Sequence, residues 1–129
     1  MSYNIVVVDD DEIILFLHSK IIQAVGLCKE PKTFSSAIKA LIFFESIADD
    51  AAPILLFLDI NMPIMDGWGL LDIIHQESFS KIIKVIMVTS SVDQADKDKA
   101  KSYSKIIDFV EKPFSKANLL ALKPLLYKL

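Results

Sequence analysis

The stretch "ILLFL", residues 54–58, narrows most sharply what this chain can fold into. Five consecutive apolar residues with no polar alternation need cover on both faces, as in the central strand of a parallel sheet. The run stops abruptly at Asp59. A second run, "VVV" at residues 6–8, stops just as abruptly at Asp9, Asp10, Asp11 and Glu12. Two buried strands that each end in carboxylates raise a chemical question, because such groups are costly to bring together.

The rest of the chain alternates strand-length apolar runs with stretches of helical period. Residues 5–8 read as a first strand and 12–25 as a helix with Ile13, Leu17, Ile21 and Ala24 on one face, closed by Gly26. Residues 27–34 read as a second strand, and Pro31 within it suits a sheet edge. Ser35 is the expected N-cap of a second helix over 36–48, with Ile38, Leu41, Ile42 and Glu45 at helical spacing. The third strand, 54–58, leads through "DINMPIMDG" to a helix over 67–76 capped by Asp66, with Trp68 just inside it. A fourth strand at 82–88, a polar helix at 93–103, a fifth strand at 106–110 and a last helix from Ser115 to Tyr127, disturbed by Pro124, complete the pattern. Five strands alternating with five helices predict an α/β fold, an open parallel sheet with helices on both faces.

Composition removes several function classes. The chain has 129 residues, one domain's worth, and no apolar stretch long enough to cross a bilayer. Its N-terminus reaches acidic residues without a basic leader, so a cytoplasmic location and no membrane partner are expected. The charge is −3, from 17 acidic residues against 14 basic ones, all of them lysine. Without arginine, the preferred fork for phosphate backbones and base edges, nucleic-acid binding is not expected. Cys28 is the single cysteine, which excludes an intrachain disulfide and a cysteine metal cluster. The lysine and aspartate alternation in "DQADKDKAKSYSK" reads as a solvated helix face.

In an open α/β sheet, ligands lie beyond the carboxyl ends of the strands. That end carries Asp9 and Asp10 after strand one, Asp59 after strand three, Thr89 and Ser90 after strand four, and Lys112 after strand five. Each has a plainer reading, since Asp11 or Glu12 could cap a helix, as could Thr89 and Ser90. Together they make a chemical set. Crowded carboxylates are costly unless some stay protonated or a cation neutralises them; a hard divalent ion is the economical solution, and magnesium suits a few carboxylates while keeping waters of its own. A lysine and a threonine hydroxyl beside it would suit phosphoryl transfer to an aspartate nucleophile.

The segments "VVVDDDE", "LLFLDINMPIMDG", "IMVTSS" and "FVEKPF" resemble, in order and spacing, the receiver domain of two-component response regulators. The resemblance covers essentially the whole chain. It implies a CheY-like, flavodoxin-like doubly wound sheet of strand order 2-1-3-4-5. It also implies that Asp59 accepts a phosphoryl group from a sensor histidine kinase or a histidine phosphotransfer protein. Asp10 and Asp59 would hold Mg2+ through their side chains and Asn61 through its backbone carbonyl, with Asp9 acting through water. Lys112 would pair with the phosphoryl group, Pro113 is similar to the family's cis proline, and Thr89 and Phe109 occupy the switch positions. Asn61 and Ser90 resemble positions that tune dephosphorylation. Phe109 lacks the hydroxyl of the tyrosine often found there.

A separate output protein would bind the face formed by the fourth helix, fifth strand and fifth helix. These expectations amount to a stand-alone signalling receiver without its own output domain, which catalyses only its own phosphorylation and dephosphorylation. Three alternatives stay open: a phosphorelay intermediate passing the group to a histidine phosphotransfer domain, a receiver-like module that is never phosphorylated, and a magnesium-dependent phosphatase. Those phosphatases commonly place a second acid two residues after the nucleophile, where Asn61 stands here.

Overall fold

A computed structural model describes residues 3–47, 52–76, 82–90 and 92–126. Ten elements alternate strictly: β1 (Asn4–Val8), α1 (Glu12–Ala24), β2 (Lys32–Phe34), α2 (Ala37–Ser46), β3 (Ile54–Asp59), α3 (Gly67–Ile74), β4 (Ile83–Thr89), α4 (Gln94–Ala100), β5 (Ile106–Glu111) and α5 (Lys116–Leu126). The strands form one parallel sheet in the order β2-β1-β3-β4-β5. This is the doubly wound, flavodoxin-like arrangement.

Both faces of the sheet are covered, which is why its central strands are uniformly apolar. On one side Val6, Val8, Leu56 and Leu58 pack with Ala40 and Phe44 of α2 and with Leu70, Leu71 and Ile74 of α3. On the other, Ile5, Val7, Leu55 and Phe57 pack with Leu15 and Ile22 of α1 and with Leu119 and Leu122 of α5. Every residue of β3 is buried.

Several local expectations are corrected. β2 begins only at Lys32, because Pro31 has no N–H to give to a ladder, and it lies at the sheet edge. The N-cap of α2 is Ser36, whose hydroxyl accepts the Lys39 N–H at 3.2 Å; the Ser35 hydroxyl is 3.2 Å from the Lys39 ammonium instead. Helix α1 buries Leu15, His18 and Ile22, while Ile13 is 78% exposed and Ala24 also faces solvent. Helix α2 buries Ala37, Ala40 and Phe44, leaving Ile38 and Ile42 exposed. The physical reason is the same in both helices. Apolar residues occupy more than one side, so spacing alone does not select which side meets the sheet, and in α2 small alanines allow the closest approach.

The caps at Asp66, Asp93 and Ser115 are formed, with backbone N–H groups of Gly69, Asp96 and Asn118 donating to them at 2.8, 2.8 and 3.1 Å. Helix α4 has no buried residue, so the lysine and aspartate run is a solvated face. It ends at Ala100, earlier than its sequence pattern suggests. Helix α5 continues through Pro124 to Leu126; the carbonyl that loses its partner belongs to Leu120, which is 53% exposed. The expected end of that helix at Tyr127 lies outside the described residues.

The segment between α4 and β5 is tied to α3. The Tyr103 hydroxyl donates to Asp72 Oδ1 at 2.6 Å, and its ring meets Trp68 and His75 with centroids 5.5 and 5.3 Å away. The Asp72 bond, with burial, pushes the Tyr103 hydroxyl up to about 12. Tyr103→Phe is expected to cost about 1 kcal/mol in chemical denaturation, the net worth of one hydrogen bond to a charged but solvated acceptor.

Candidate functional site

Parallel strands place their C-terminal ends on one rim, and the register sets which residues meet there. Val8 pairs with Leu58, so Asp9 and Asp59 leave neighbouring strands at the same level; Thr89 ends β4 and pairs with Glu111, immediately before Lys112. The structure brings Asp9, Asp10 and Asp59 together, with one carboxylate oxygen from each lying within 4.8 Å of the others. Asp9, Asp59 and Thr89 are buried, and Asp10 is exposed.

Local contacts hold each group in place. Asp9 accepts the Asp11 N–H through Oδ1 at 2.9 Å, while Asp11 caps α1 by accepting the N–H of Ile13 at 2.9 Å. Lys112 reaches in from beyond β5, its backbone N–H donating to the Thr89 carbonyl at 2.8 Å. Its ammonium lies 3.2 Å from Asp9 Oδ2 and 3.2 Å from Asp59 Oδ1. The peptide bond that follows, Lys112–Pro113, is cis.

The charges do not balance. One ammonium faces three carboxylates, and neither oxygen of Asp59 has a hydrogen bond of good geometry. Burial, then repulsion from Asp9, pushes the Asp59 carboxyl up to about 6, against the pull of Lys112 and the Asn61 backbone amide. Burial also raises Asp9, with Asp10 adding to it. Burial alone would depress Lys112; the combined attraction of Asp9 and Asp59 outweighs it and leaves the ammonium more basic than usual. A partly buried set of hard oxygen donors with surplus negative charge fits a divalent cation such as Mg2+.

The remaining predicted residues surround this centre. Asn61 is exposed on the loop after β3, and Ser90 is exposed just beyond Thr89. In that loop Ile64 takes a left-handed backbone conformation, φ 71°, at 96% exposure. Phe109 lies in β5, half-buried against the α2/α3 side of the core rather than at the carboxylates. His18, which the sequence pattern did not single out, is buried in α1 and accepts the Phe114 N–H at 3.2 Å. Its only sequence signal is a polar residue among apolar ones, which is too common to select it.

A doubly wound sheet with three aspartates clustered at its carboxyl rim and one lysine reaching two of them is the arrangement that the receiver-like sequence pattern implies. The model of the response regulator receiver domain family matches residues 5–122, and the chain belongs to that family. Among characterised relatives it is similar to the regulatory protein VanRc of Enterococcus gallinarum, 33% identical over 94% of this chain and 48% of that protein. It is also similar to PilG of Pseudomonas aeruginosa, 30% identical over 91% of this chain and 82% of the relative. The chain thus spans about half the length of VanRc. A two-component response regulator from Cytophaga hutchinsonii superposes with a TM-score of 0.86 at 25% identity, over 100% of both chains. Receiver domains are signalling switches in two-component systems and work with histidine kinases or phosphotransfer proteins. Among the described residues no helix is long and apolar enough to cross a membrane.

Proposed function

We propose that this receiver is a magnesium-dependent phosphoaspartate switch with Asp59 as the phosphoacceptor. The observation that carries the reading is the buried Asp59 carboxylate, without a well-formed hydrogen bond, facing the Lys112 ammonium and two further aspartates. Asp10 and Asp59 would hold the ion by their side chains, Asn61 by its backbone carbonyl and Asp9 through water. When bound, Mg2+ supplies positive charge against the phosphoryl oxygens and removes the carboxylate repulsion.

The chain's own residues account for the rest. An Asp59 oxygen forms a bond to phosphorus as the phosphorus–nitrogen bond of a phosphohistidine breaks, and the departing imidazole takes a proton from solvent. Lys112, already held between Asp9 and Asp59, pairs with the incoming anion. The hydroxyl of Thr89, at the end of the neighbouring strand, donates to a phosphoryl oxygen. These steps are the protein's own phosphorylation chemistry and require no outside substrate beyond the donor.

Phosphorylation then biases two states of the α4–β5–α5 face through Thr89 and Phe109, changing affinity for a separate output protein. A shallow depression lined by Lys97, Lys101, Ile106 and Phe109 on this face offers both charge and apolar surface. A cytoplasmic location accompanies this reading. The test is a set of amide NMR spectra with and without acetyl phosphate and Mg2+. Shifts at Thr89, Phe109 and α4 are expected in the wild type and not in Asp59→Asn. Phosphorylated protein whose shifts stop at the residues around Asp59 would overturn the switch.

A further inference from the structure

We propose that His18 is a positioning residue for the phosphoacceptor site: it anchors the turn that carries Lys112, so that the ammonium stays between Asp9 and Asp59. The proposal rests on the phosphoacceptor reading of Asp59 and extends it to a residue of α1 outside the carboxylate cluster, on the side of the sheet that Phe57 faces.

The anchoring is physical. His18 sits in the middle of α1 at 1% exposure, where an apolar residue would pack at no desolvation cost. Its Nε2 accepts the backbone N–H of Phe114 at 3.2 Å, and its ring stacks on the Phe114 ring at 3.7 Å with an 18° tilt. The Phe114 ring in turn lies 5.2 Å from that of Phe57, which stands two residues before Asp59 in β3. Lys112 lies two residues before Phe114 and is tied to β4 through the Thr89 carbonyl. The short turn 112–114 is therefore held at one end by the sheet and at the other by α1.

Within that turn Pro113 has no N–H, so the Phe114 N–H is the donor by which the turn can be tied to α1. An apolar residue at position 18 would leave this donor buried and unpaired, and the turn would move to find a partner. Lys112 moves with it. Burial, reinforced by the Lys112 charge, holds the His18 imidazole down to about 4, so Nε2 remains an acceptor at neutral pH and Nδ1 carries the proton.

The experiment compares His18→Leu, which fills the space without an acceptor, with His18→Gln, whose side-chain oxygen can accept the same N–H. Phosphorylation of the whole chain by acetyl phosphate at saturating Mg2+ is followed for the wild type and both variants. His18→Leu is expected to lose roughly 10- to 100-fold in maximal rate with the half-saturating acetyl phosphate concentration little changed, as displacement by about 1 Å does elsewhere. His18→Gln is expected to recover most of it. A folded His18→Leu protein that keeps the wild-type maximal rate, or a His18→Gln protein as slow as His18→Leu, overturns the proposal. If His18→Leu does not fold, 15N NMR of the wild type decides: a protonated Nε2, or no coupling to the Phe114 amide, overturns it. A wild type that takes up no phosphoryl group overturns the phosphoacceptor reading and this proposal together, whereas a labelled wild type beside an equally fast His18→Leu overturns this proposal alone.

Discussion

Asp59→Asn is expected to make the metal-free protein more stable, by on the order of 3 kcal/mol at pH 7. Burial and the Asp9 charge push the Asp59 carboxyl up to about 6 in the fold, against an ordinary value of 3.8. The difference of about two units corresponds to roughly 3 kcal/mol, by which the fold disfavours the ionised group. Because the folded value is raised, the penalty is absent below about pH 4, grows between about 4 and 6, and is complete above that. The stability gap between Asp59→Asn and the wild type should therefore close as the pH falls from 7 to 4. Comparing the two proteins cancels contributions common to both, including that of His18, which has the opposite sign. Mg2+ should stabilise the wild type by binding the folded state, and the variant, lacking one of the three clustered carboxylate charges, much less. Urea denaturation across this pH range, with and without Mg2+, is the measurement. A variant less stable than the wild type at pH 7 would show that Lys112 more than compensates the crowded carboxylates.

Gly67→Ala is the second large effect, with the opposite sign. A Cβ at Gly67 would lie 2.5 Å from the Asp59 carbonyl oxygen, 3.1 Å from Ile60 Cα and 3.3 Å from the Asp59 carbonyl carbon. All three are backbone atoms, and the Gly67 N–H is itself bonded to the Ile60 carbonyl at 2.8 Å. The first turn of α3 cannot retreat without breaking that bond, and the Asp59 backbone cannot retreat without moving the carboxylate proposed as phosphoacceptor. A loss of about 3 kcal/mol is expected, at the upper end for overpacking. Gly69→Ala is the internal control. There the added carbon meets Met65 Cγ at 3.0 Å, a side-chain rather than a backbone atom, and alanine's helix preference of about 1 kcal/mol works in its favour. Denaturation midpoints of the two variants should differ widely; equal midpoints would mean that the close approach at Gly67 relaxes freely.

What could be read from sequence follows from how local each signal is. A strand buried on both faces announces itself as an unbroken apolar run, so β1, β3 and β4 and the polar residues that end them were legible. With the strands alternating with helices, the parallel fold followed. The helix faces were not legible, because residues 13–17 of α1 are all apolar and present no unique side to the sheet. The sheet chose Leu15 and Ile22, and with them His18, whose partner lies 96 residues away in sequence. Contacts of that range leave no local periodicity. Gly67 was visible only as a helix start, since its closeness to the Asp59 carbonyl depends on how α3 docks. The family pattern pointed to Lys112 and Pro113 by position; the distances that place the ammonium between two aspartates come from the folded chain.

In the proposed switch Asp59 accepts a phosphoryl group in a reaction needing the surrounding acids and a divalent cation. The most direct measurement is the intact mass under acid quench after incubation with acetyl phosphate, for the wild type and Asp59→Asn, each with Mg2+ and with a chelator. One phosphoryl adduct, present only in the wild type with Mg2+, is the predicted result. An adduct that persists in Asp59→Asn or in the chelator, or none in a wild type shown to bind Mg2+, would contradict the account.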